Sequence, residues 1–153
     1  MKVLKLYFLS RSDPDVLVPF LARLGEKALE QNLRMWIDIE DETLVRQLDA
    51  YLWTYRDGSF VPHGTDDDLW NRLVIAPLHG TLPAHYTAVT HVLPHSPRVN
   101  PPPQAVKIAE VHVDEDEDSD LLQARLVAYN AAGWEVETHR IMSTPNVPKS
   151  QRI

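Results

Sequence analysis

The sequence predicts a single α/β domain of three layers, with helices on both faces of a mainly parallel sheet. Short apolar runs of strand length alternate with segments whose apolar positions keep helical spacing, the pattern that successive βαβ units produce. A length of 153 residues suits one domain, long enough to bury most of the surface an unfolded chain exposes. No internal repeat interrupts this order.

Each element follows from its own residues. Residues 2–9 (KVLKLYFL) alternate closely enough for a strand and end at the turn signal SRSDPD. In VLVPFLARLGEKALEQ, Leu17, Phe20, Leu21, Leu24 and Ala28 keep helical spacing, which places Pro19 near the first turn, where its missing N–H costs least. RMWIDI, residues 34–39, is a second strand. The next helix is DETLVRQLDAYLW, with a stripe of Leu44, Leu48 and Leu52 broadened by Val45, and with Asp41 and Glu42 at the end where acids are favoured. LVIA and YTAVTHVL, residues 73–76 and 86–93, read as strands, and a proline-rich loop follows over 95–104. AVKIAEVHV, residues 105–113, is a further strand that alternates less cleanly and runs into DEDEDSD. Those acids open a helix, LLQARLVAYNAAG, with Leu122, Leu126 and Tyr129 on one face and Gly133 as its stop. WEVETH, residues 134–139, is the last strand. The domain is expected to span 1–140, and 141–153 to form a flexible tail.

Composition excludes several classes. Hydrophobic residues make up 44% and charged residues 24%, a soluble balance, and no run approaches the ~20 apolar residues of a membrane span. The first residues lack the cleavage site of a signal peptide and read better as a strand, and in a chain with no cysteine the cytoplasm is the expected location. With no cysteine there is neither disulfide nor thiolate metal site. A net charge of -7 argues against direct binding to a phosphate backbone.

Catalytic and cofactor motifs are equally sparse. The first β-α turn, SRSDPD, has neither G-x-G-x-x-G nor a P-loop, and G-x-S-x-G is missing as well. His85, His91 and His95 lack the spacing of a zinc site and are expected on the surface or in loops. DEDEDSD fails as a calcium loop at Ser119 and Arg125, where glycine and glutamate are required. Asp38, Glu40 and Asp41 gather where strand meets helix, and helix capping accounts for them better than acid–base chemistry. No catalytic residue, cofactor or metal is expected.

The stretch LDAYLWTYRDGSFVPHG is more informative, because large side chains continue past a helix end into a connection that would ordinarily be polar. Val45, Asp49 and Trp53 share a line about 100° from the leucine stripe, which puts Trp53 beside the core face. With Phe60 folded back and Pro62 fixing the loop, the outcome is an apolar patch for a partner; with both aromatics turned inward, a staple holding the loop to the core.

The pattern LDxxLW, six residues, then FVPHG resembles the chi subunit family of bacterial DNA polymerase III, whose members carry a helix ending LW followed by F-x-P-H. KLYFL, EVHVDEDEDSD and AYNAAGWEVETH are similar to family segments in the same order. The resemblance implies a Rossmann-like fold without nucleotide binding and a non-catalytic accessory role in the clamp-loader complex. It implies two partners: psi, or another clamp-loader subunit, and the C-terminal tail of single-stranded DNA-binding protein (SSB). Carried over residue by residue, Trp53, Phe60, Val61, Pro62 and His63 match the partner-binding helix and loop.

For the SSB tail the family uses basic residues on its last helix, where this chain has Gln123, Val127 and Asn130. Arg125 is the basic residue left on that helix, with Tyr129 one turn on and Lys107 and Arg140 on neighbouring strands as further candidates. Weak or absent tail binding is therefore expected. Two other readings stay open, a small α/β enzyme of unknown substrate and an accessory partner of a DNA-repair helicase.

Overall fold

The computed structural model describes residues 2–55, 63–65 and 71–141. Ten regular elements and one 3-10 turn follow in order: β1 (Val3–Leu9), α1 (Pro14–Glu30), β2 (Met35–Asp38), α2 (Glu42–Trp53), β3 (His63–Gly64), β4 (Leu73–Ala76), β5 (Ala88–Val92), β6 (Lys107–Val113), the 3-10 turn Asp114–Asp116, α3 (Asp120–Ala131) and β7 (Glu135–Ile141). The strands form one sheet in the order β3-β4-β2-β5-β6-β1-β7, and every pairing is parallel. The mainly parallel α/β expectation is met in full.

The sheet's alternation sorts side chains into two cores. On one face Leu9, Met35, Ile37, Ile75 and Val111 meet α1 through Leu17, Leu21 and Ala28, and α2 through Leu44, Leu48 and Leu52. On the other, Leu4, Trp36, Val74, Val89 and Ile108 pack with Tyr129 of α3 and with Leu82, Tyr86 and Ala105 from connecting segments. Helix α3 alone is too short to roof that face, so irregular chain shares the work. Gln104 ties this roof down by donating to the carbonyls of Leu82 (3.1 Å) and Pro83 (3.2 Å).

Helix ends obey local chemistry. Asp41 caps α2, its Oδ1 accepting from Thr43 N (2.9 Å) and Leu44 N (3.3 Å), and Ser119 caps α3 by accepting from Leu122 N (3.1 Å). Gly133 takes φ +90 after α3, a left-handed conformation that glycine adopts without strain. Helix α1 starts with Pro14 in its first turn, so Pro19 lies deeper in the helix than the sequence predicts. Burial of Val16, Leu17, Val18 and Leu21 around it holds the helix despite the lost hydrogen bond.

Among the described residues no helix is long and apolar enough to cross a membrane. Nor does any group of three or more His, Asp or Glu side chains there come together as a metal site.

Candidate protein-interaction site

Helix α2 packs its leucine stripe inward, and its last residue, Trp53, stays 61% exposed. The line through Val45, Asp49 and Trp53 thus runs from the core margin to solvent. The two-residue strand β3 brings His63 back beside this helix by pairing with β4. The buried imidazole lies 3.1 Å from Asp49 Oδ1 by its Nε2, and its ring centroid is 4.8 Å from that of Trp53. The indole therefore lies against a histidine seated in the fold, its ring tilted by 58° to the imidazole. That contact holds the ring in place while its remaining surface stays wet, the condition for an anchor that binds with little loss of side-chain freedom. Of the expected patch, the structure joins Trp53 to His63; Phe60, Val61 and Pro62 lie outside the described residues.

The four residues expected at a tail-binding surface lie in different surroundings. Arg125 and Tyr129 are 4% and 0% exposed and turn toward the sheet. Arg125 Nε lies 3.0 and 2.9 Å from the Glu110 carboxylate oxygens, and its Nη1 donates to the carbonyls of Ser96 (2.7 Å) and Arg98 (3.1 Å). Tyr129 donates its hydroxyl to Glu110 Oε2 (2.7 Å), and His112 Nε2 meets Oε1 (2.8 Å). Burial by itself would raise the Glu110 carboxyl, but the bonds from His112, Arg125 and Tyr129 outweigh it and bring it down to about 2. Tyr129 is pushed up, by burial first and then by the Glu110 carboxylate.

Arg140 is half-exposed on β7, on the same side of the sheet, with its guanidinium carbon 5.1 Å from the Phe8 ring centroid and ion pairs to Asp114 and Glu117. Lys107 projects from the opposite face of the sheet, since it alternates with Ile108 and Glu110 on β6. The exposed side of α3 carries Gln123, Val127 and Asn130; Val127 is 69% exposed and uncharged.

A second polar feature escaped the sequence reading. Asp38, His91 and Glu110 stand in register on three adjacent strands, β2, β5 and β6. Asp38 does not cap a helix: its Oδ1 accepts from Leu78 N (2.8 Å) and its Oδ2 meets His91 Nδ1 (2.7 Å). His91 accordingly sits within a strand and not in a loop, because its partner lies on the neighbouring one. Two members of this row, Asp38 and His91, line a cavity of about 550 Å³ together with Arg125 and the proline-rich loop. The visible signal was the imperfect alternation of AVKIAEVHV, where Glu110 and His112 occupy inward positions.

A parallel α/β sheet with helices on both faces, no glycine-rich phosphate turn and an anchored, exposed tryptophan at the edge next to β3 is a Rossmann-like domain without the nucleotide-binding signature. The chain belongs to the DNA polymerase III chi subunit (HolC) family, whose model matches residues 1–137. It is similar to DNA polymerase III subunit chi of Pseudomonas aeruginosa, with 24% identity over 135 residues that cover 88% of this chain and 94% of that protein.

Proposed function

We propose that this chain is a non-catalytic accessory subunit that links the clamp-loader complex to SSB through protein–protein contacts. The observation that carries this reading is Trp53, exposed at the end of α2 yet fixed by His63. A large aromatic held in one orientation at a domain edge is the kind of group that dominates binding energy in an interface. Membership of the chi family supplies the context, a subunit of DNA polymerase III. The partner at this edge is psi or another clamp-loader subunit, with Phe60, Val61 and Pro62 completing the contact.

Contact with the acidic tail of SSB is the weaker of the two. Arg125 is 4% exposed and committed to Glu110 and to two loop carbonyls, so recruiting it to a tail would disturb a buried pair. Arg140 and Lys107 lie on opposite faces, so at most one of them contributes to a given tail.

The test is a pull-down from cells with the wild-type chain beside Trp53→Ala and Phe60→Ala, with retained proteins identified by mass spectrometry. Clamp-loader subunits retained by wild type and lost from both variants are the expected result. Retention that is equal in all three chains sinks the assignment of the interface. A DNA helicase retained in their place favours the helicase-accessory role.

A further inference from the structure

We propose that the groove between α1 and the open face of β1 and β6 binds a small organic phosphate of about mononucleotide size or less, through Lys5, Lys27 and Lys107. The groove exists because α1 and α2 pack chiefly over β2 and β4, leaving the side of β1 and β6 that faces away from α3 without a helix of its own. Its volume is about 300 Å³. That is the lower end of the range for small-molecule sites.

The chemistry of the lining selects the ligand. All three lysines line the groove and no acidic residue does, in a chain whose formal net charge is -7. Among the described residues none of the three lysines forms an ion pair; Lys107 Nζ instead donates to Gln31 Oε1 at 2.6 Å. Glu137, in register with Lys5 on β7, meets His139 at 2.5 Å and stands outside the groove.

Burial first, and then the like charges of Lys5 and Lys27, lower the Lys107 ammonium from its ordinary value. A bound dianion removes that repulsion. Ammonium groups without an arginine fork act as point charges, which suits a tetrahedral phosphate better than bidentate carboxylate pairing. Leu24, Ala28 and Ala109 line the same groove and supply an apolar surface for the rest of the ligand, and Val106, 57% exposed, adds to it.

The experiment is a titration of the ¹⁵N-labelled full chain with AMP, followed by two-dimensional NMR, beside adenosine and inorganic phosphate. Lys27→Gln and Lys107→Gln are titrated in parallel after their melting temperatures have been matched to wild type. The expected result is saturable shifts confined to the groove with AMP and none with adenosine. Each lysine variant should weaken AMP by about tenfold, the order expected for losing one charged hydrogen bond. Absence of saturation at millimolar AMP, shifts unaltered in both variants, or inorganic phosphate binding as tightly as AMP each overturns the proposal. So does tighter binding of an aspartate-rich peptide at the same residues, since the groove is then a peptide site.

Discussion

Arg125 on α3 and Glu110 on β6 form a buried, two-pronged ion pair, and the same guanidinium holds the backbone carbonyls of Ser96 and Arg98. One side chain thereby joins a helix, a central strand and the proline-rich loop. Both partners are almost fully buried, so removing one leaves the other charge without water. Glu110→Gln is expected to cost about 3–5 kcal/mol, measured by urea unfolding. Replacing both residues together, Glu110→Leu with Arg125→Met, should cost less than the sum of the single changes, a coupling that a double-mutant cycle reads directly. Additive losses would show that the pair contributes nothing beyond its separate packing.

Acid sensitivity follows from the same carboxylate. Glu110 is lowered from 4.5 to about 2, so the folded state binds fewer protons than the unfolded chain in that interval. The pair's stabilisation is complete above about pH 4.5 and is lost as pH falls toward 2. Tyr129 acts at the other end. Its phenol is raised above 10, so the unfolded chain releases that proton first, and stability should also decline as pH rises past 10. Melting temperature against pH checks both limbs. A Glu110→Gln variant should flatten the acid limb, and an unchanged limb in that variant would assign acid unfolding to other carboxylates.

How far the sequence reveals this fold depends on whether burial follows hydrophobicity. Where it does, as in KLYFL or the Leu44, Leu48, Leu52 stripe, strand and helix are plain from spacing alone. β3 is only two residues long, too short for an alternation of apolar and polar positions to show, so no local pattern announces its pairing with β4. The α3 face was harder for another reason. Its inward line is Leu122, Arg125 and Tyr129, and a buried arginine looks like a surface residue until Glu110 is known to face it. Arg125 enters as a tail candidate only through the family resemblance, whereas helix geometry alone puts Trp53 beside the core face, since its angle from the leucine stripe is fixed.

Capping gives a local check on the acids before α2. Asp41 satisfies the Thr43 and Leu44 amides, and its side chain faces solvent. Asp41→Ala should destabilise the protein by about 1 kcal/mol, while Asp41→Asn or Asp41→Ser, which keep an accepting oxygen, should restore most of the loss. Equal losses for alanine and asparagine would trace the effect to charge at the helix N-terminus instead of to the hydrogen bond.

Trp53 separates folding from binding. Its indole is mostly exposed, so truncation removes little buried area. Trp53→Ala should therefore change unfolding stability by no more than about 0.5 kcal/mol, as for other exposed sites. Against the partner subunit proposed above, the same change should weaken binding by about 2 kcal/mol or more, the size expected of a central aromatic anchor. Leu48→Ala, the residue before Asp49 and on the buried stripe, supplies the contrast. Leu48 is 0% exposed, and its truncation should cost about 2–5 kcal/mol of stability. Calorimetric binding and urea unfolding on the two variants must move in opposite proportion. If Trp53→Ala unfolds the chain as severely as Leu48→Ala, the indole is holding up the domain, and the interface must be sought elsewhere.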